Sequence, residues 1–108
     1  METNVKFEEI PLTLRETWKE YAEALATWEF LDDLTKTQKA RLMNQWEGTE
    51  SARERYAYSH PEYKKHLEDV KNARMNALRL KSYIDSLNAL FELYRSKNAM
   101  KRAEMNLV

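Results

Sequence analysis

Cysteine is absent from the 108 residues, glycine occurs once and proline twice. Without a thiol there is no disulfide frame, no cysteine nucleophile and no cysteine-ligated zinc. One glycine is too few for the positive-φ turns of β-sandwiches and barrels, or for a glycine-rich phosphate loop. No apolar run approaches the roughly 20 residues that a membrane-spanning helix needs. The first residues also lack the apolar core of a secretory leader. These absences predict a cytoplasmic protein with no membrane partner.

Net charge is missing too, since 18 basic residues balance 18 acidic ones. That excludes both an acidic nucleic-acid mimic and a strongly polybasic coat. The balance is uneven along the chain. Residues 1–50 carry 6 Lys/Arg and 11 Asp/Glu, and residues 51–108 carry 12 and 7. With 43% hydrophobic and 33% charged residues, the chain is too apolar for a disordered tail and has the composition of a soluble helical domain.

The hydrophobic spacing predicts an all-α fold of one helical-hairpin domain over 13–108, preceded by an extended arm over 1–12. Pro11 closes that arm, and Phe7 and Ile10 give it apolar anchors. Thr13-Leu14-Arg15-Glu16 fits a capping box and starts a helix running to about residue 47. Leu14, Trp18, Tyr21, Leu25 and Trp28 then follow at helical steps. Beyond them the stripe meets Asp32 and Lys39, which predicts a register slip near residue 30 or a bend at Leu34–Thr37. Gly48 stands where a helix C-cap is wanted. Ser51-Ala52-Arg53-Glu54 is a second capping box, opening a short helix over 51–58. Ser59-His60-Pro61-Glu62 opens a third, over 60–103, because proline suits a first turn.

In that last helix Tyr63, Val70, Ala77, Ile84 and Phe91 repeat every seven residues. His66, Ala73, Leu80, Leu87 and Tyr94 form the companion series three positions on. The pattern predicts a coiled-coil helix about 60 Å long, folded back antiparallel on the first, and an elongated molecule. Phe30, Met43, Leu67, Met75, Leu78 and Leu90 fall off both series. Left in water, they forgo several kcal/mol at about 25 cal/mol per Å². A homodimer forming a helical bundle removes that cost, with Ala77, Leu80, Ile84, Leu87, Phe91 and Tyr94 as its oligomer seam.

Chemistry-bearing constellations are few. His60, Glu62 and His66 lie close together, but not at the Glu-x-x-His spacing of di-metal bundles, so no metal and no cofactor is expected. His66 reads instead as a seam residue and His60 as a helix cap. No phosphate loop, serine elbow or Cys/His pair is present, and a narrow hairpin offers no pocket for a small-molecule substrate. The reading is non-enzymatic. Lys71, Arg74, Lys81, Arg95 and Arg102 project along the last helix and form a candidate nucleic-acid-binding stripe, alongside Asn72, Asn76, Asn88 and Asn98. The competing reading is a solvated face that pairs with the acidic first half. Tyr56, Tyr58 and Phe7 are the candidate partner-binding aromatics.

Ser51-Ala52-Arg53-Glu54-Arg55, with Ala57, Ser59 and Tyr63, carries a resemblance over about half the chain. Tyr94-Arg95-Ser96, Ala99 and Arg102-Ala103-Glu104-Met105 continue it downstream. Together these resemble small helical proteins encoded in the early, recombination regions of tailed bacteriophages. The resemblance implies a phage accessory factor, in the host cytoplasm, acting on nucleic acid or on a nucleic-acid-processing protein. It brings no catalytic residues with it. Two alternatives stand beside it: a small protein inhibitor of a host defence or replication enzyme, and an architectural bundle protein.

Overall fold

The computed structural model describes residues 5–106, and every regular element among them is helical. A single 3₁₀ turn, Phe7–Glu9, leads into α1 (Ile10–Met43); α2 (Glu50–Ser59) and α3 (Pro61–Asn106) follow. The part of the expected arm that falls on residues 1–4 lies outside the described residues. From Phe7 onward the rest of it is helical, and Lys6 before it keeps an extended backbone. Glu9 accepts from the Lys6 backbone N–H at 3.4 Å, and Ile10 is fully buried at the head of α1. Pro11 does not stop the helix, because its fixed φ is helical and its missing N–H falls where first-turn donors have no partner anyway. Thr13 is therefore inside α1 and not its cap, and its carbonyl accepts from the Thr17 hydroxyl at 2.7 Å.

α1 runs unbroken for 34 residues, without the expected register slip. The side chains that leave water follow one 4-3 series: Ile10, Leu14, Thr17, Tyr21, Ala24, Trp28, Leu31, Thr35, Gln38 and Leu42 are all buried or half-buried. A stripe through the larger neighbours Trp18 and Leu25 leads instead to Asp32 and Lys39. Trp18 is 45% exposed, whereas Thr17 is 8% exposed.

Gly48 does not cap α1, which ends five residues earlier. Arg53 of α2 reaches back instead, donating to the Met43 carbonyl at 3.1 Å and to Asn44 Oδ1 at 3.0 Å. A cation there satisfies an orphan carbonyl and suits the negative end of the helix dipole. Thr49, not Ser51, caps α2, its hydroxyl oxygen accepting from the Ala52 N–H at 3.2 Å. Gly48 supplies the turn before it at φ +140°, a region that side chains disfavour, although a methyl group would sit 3.7 Å from the Ala52 Cβ without clash. Gly48→Ala is expected to cost about 1–3 kcal/mol through backbone strain alone. Thermal unfolding followed by circular dichroism reads that loss, and an unchanged midpoint would show that the turn relaxes. His60 caps α3 as the sequence suggested, with Nδ1 accepting from the Glu62 N–H at 3.1 Å.

The chain divides into two compact units. Among the described residues, one holds those up to Tyr21 and from Leu78 onward; the other is Ala22–Ala77. In the first, Phe7 meets Phe91 and Trp18 meets Lys81, so the two chain segments run antiparallel. Its buried side chains among the described residues are Ile10, Thr17, Ile84 and Leu87. In the second, Trp28 meets Arg74, Thr35 meets His66 and Arg41 meets Glu62, again antiparallel. Ala24, Leu42, Ala57, His66 and Ala77 are buried there. All ten α3 positions of the two seven-residue series are buried or half-buried, so that repeat is the inward face of α3.

Candidate nucleic-acid interface

The seam residues proposed for an oligomer are already covered by their own chain. Ala77 and Ile84 are fully buried and Leu87 is 3% exposed, while Leu80, Phe91 and Tyr94 are half-buried. Two of the three candidate partner-binding aromatics are likewise engaged within the chain. Phe7 stacks on Phe91 at 5.2 Å between ring centroids and meets Tyr94 edge-on at 5.7 Å. Tyr56 stacks on Trp46 at 5.0 Å, and its hydroxyl donates to Gln45 at 3.2 Å. Tyr58 stays exposed, with the Lys39 ammonium 4.6 Å from its ring centre and Tyr63 edge-on against it.

The basic stripe is not uniform. Lys81 is half-buried, lies 4.9 Å from the Trp18 ring centre and pairs with Asp85 at 3.3 Å. Arg74 lies 5.8 Å from the centre of the Trp28 ring. Arg95 pairs with Glu92 at 3.2 Å. These three cations are occupied by aromatic faces and neighbouring acids, each contact worth at most about a kcal/mol at the surface. Lys71 and Arg102 are exposed and make no ion pair among the described residues.

Arg102 has cationic neighbours outside the stripe that spacing defines. From Arg95 to Asn106 every residue is exposed, and residues 93–106 carry Arg95, Lys97, Lys101 and Arg102 against the single acid Glu104. The absence of acids between Glu92 and Glu104 was the signal for Lys97 and Lys101. An open concavity of about 670 Å³ lies along this segment, lined by Phe7, Arg95, Ser96, Asn98, Lys101 and Arg102, with Glu92 and Ala99. It combines cations, neutral hydrogen-bonding groups and an aromatic ring.

A second concavity, about 460 Å³, lies in the other unit and is lined by Gln38, Arg41, Pro61, Glu62, Lys65, His66 and Asp69. Its charges cancel in pairs. Arg41 donates to Glu62 and also to Gln38 at 3.0 Å, and Lys65 pairs with Asp69 at 2.6 Å. The hydrogen bond from Arg41 holds the Glu62 carboxyl below its ordinary value, with the guanidinium charge acting in the same direction. Buried His66 has Nε2 3.0 Å from the Thr35 hydroxyl. His60, Glu62 and His66 thus each have a structural partner, and no three metal-ligating side chains converge among the described residues. No helix there is long and apolar enough to cross a membrane. Compared with known proteins, the chain matches no family model, no curated protein and no solved structure.

Proposed function

We propose that this chain is a non-enzymatic helical interaction protein that binds the backbone of a nucleic acid through the C-terminal turns of α3. The observation that carries the reading is exposed Lys101 and Arg102 beside Asn98 in one concavity, with exposed Lys97 in the same run, none of the three cations in an ion pair among the described residues. Phosphate oxygens need cations and hydrogen-bond donors along a line, and this segment supplies both without an intervening acid. With no net charge to attract a polyanion from afar, affinity has to come from this local cluster. The resemblance to phage early-region proteins points the same way.

Binding of a fluorescent oligonucleotide, measured by anisotropy against salt, tests the proposal. Each neutralised phosphate contributes about −0.9 to the logarithmic slope on duplex and about −0.7 on single strands. Changing Lys97, Lys101 and Arg102 together to Gln should flatten that slope by about two to three. Helix content should barely move, since Gln is nearly as good a helix former. Arg74→Gln, at the cation over Trp28, should change the slope less. No binding at low salt, or an unchanged slope in the triple variant, overturns the reading. Trp46, half-exposed and stacked on Tyr56 beside the turn to α2, then becomes the surface for the alternative, a protein inhibitor that occludes an enzyme.

A further inference from the structure

The face of α3 opposite its buried seam is nearly as regular as the seam. Ser82, Ser86, Ala89, Leu93, Ser96 and Met100 follow one another at steps of four and three, and Ala103 continues the series. All are exposed, Leu93 by 50% and Met100 by 63%, and none is charged. In a chain with one charged residue in three, an outward helix face ordinarily carries charge, as Glu16, Lys19 and Glu23 do on α1. An uncharged outward stripe of 22 residues extends about 33 Å along the helix.

We propose that this face pairs antiparallel with the same face of a second copy of the chain, about a twofold axis between Leu93 and Ser96. Charge selects the second copy and its direction. Residues 85–92 carry two acids, Asp85 and Glu92, and no cation; residues 97–104, which face them about that axis, carry three cations, Lys97, Lys101 and Arg102, against the one acid Glu104. Antiparallel pairing lays each acidic segment along the cationic segment of the other copy, twice by symmetry, whereas parallel pairing lays like on like. Side-chain size fits the same register. With Leu93 opposite Ser96 of the second copy, Met100 falls opposite Ala89, so each large side chain meets a small one and the helices approach closely. The inward seam stays intact, Ser96 borders both the paired face and the basic concavity, and Arg102 lies outside the paired face, so pairing is read on the protein without nucleic acid.

Light scattering on the full chain at micromolar concentration should give about twice 13.0 kDa. Leu93→Glu combined with Met100→Glu should halve that mass while leaving helix content unchanged, because neither side chain is in the core. Phe30→Glu, equally exposed but on α1, should leave the dimer intact. The natural lack of cysteine lets single thiols report the direction of pairing. A short thiol-reactive crosslinker should join copies carrying Ser96→Cys and fail with Ser82→Cys, whose two sites lie about 37 Å apart along antiparallel helices. A monomer at every concentration, a dimer that survives the double variant, or crosslinking at both cysteine positions each overturns the proposal.

Discussion

Leu87→Asp is expected to unfold the unit built on Ile10, Thr17, Ile84 and Leu87. Leu87 is 3% exposed, and among the described residues only these four side chains of the unit are buried. The substitution removes a buried isobutyl group and puts a carboxylate in its place with no cation in the seam to receive it. An uncompensated buried charge costs about 3–5 kcal/mol. A chain of this size has about 5–15 kcal/mol in total. At about 4–8 °C per kcal/mol, the thermal midpoint should fall by more than about 12 °C. If the variant does not fold at all, Leu87→Ala provides the milder version, at about 2–5 kcal/mol. Leu78→Asp, half-exposed on the same helix, should stay within about 0.5 kcal/mol of the parent. A Leu87→Asp protein that melts within a few degrees of the parent would place Leu87 outside the core.

The contrast between those two leucines is legible in the sequence, because α3 announces its inward face with large residues. Ile84, Leu87 and Phe91 mark the seam, and extending their spacing in both directions finds Tyr63, His66, Val70 and Tyr94 without help. α1 does the opposite. Its most protected seam positions include Thr17 and Ala24, while Trp18 and Leu25 stand one residue further on and draw the eye to the wrong stripe. A reading weighted by side-chain size follows the tryptophan. Yet that tryptophan is the platform for the Lys81 ammonium at the edge of the seam, where an amphipathic ring can cover apolar surface and still meet water and charge. The predicted slip near residue 30 was the cost of tracking the platform in place of the seam. An unbroken 4-3 count through Thr17, Ala24, Leu31 and Gln38 removes it.

The helix ends show a similar division. His60-Pro61 is read correctly because proline acts through covalent geometry, which local sequence determines. The other caps involve competition between near neighbours. Thr49 and Ser51 both have capping hydroxyls, and Thr49 takes the role once Gly48 has turned the chain at φ +140°. The end of α1 is closed by Arg53, ten residues away from the carbonyl it meets, and no local motif encodes that contact. The basic stripe follows the same logic. Spacing groups Arg74, Lys81, Arg95 and Arg102 on one side of a helix, but Trp28, Trp18 and Glu92 engage three of them, and only the three-dimensional fold distinguishes occupied cations from free ones.

Ala57→Leu is expected to undock α2 while leaving the rest of the chain helical. α2 has ten residues, short of the roughly 12–15 that an isolated helix needs even with favourable composition, so its helicity depends on its docking. Ala57 is its one buried residue, with no exposed surface. The other contacts are peripheral, among them the Arg53 bonds to Met43 and Asn44, the Tyr56 stack on Trp46, the Lys39 ammonium over Tyr58 and the Lys39–Glu54 pair at 3.7 Å. Three further carbons at Ala57 have nowhere to go without moving the helix, and overpacking of this kind costs about 1–3 kcal/mol. Because docking and folding of α2 are coupled, the same free energy comes off its local opening. Its amides should therefore exchange with deuterated water about 5- to 150-fold faster, at about 1.4 kcal/mol per factor of ten. Amides around Ile84 and Leu87, which belong to the other unit, should keep their parental protection. If α2 keeps its protection as well, Ala57 is not the contact that holds it, and the Arg53 and Trp46 contacts carry the docking instead.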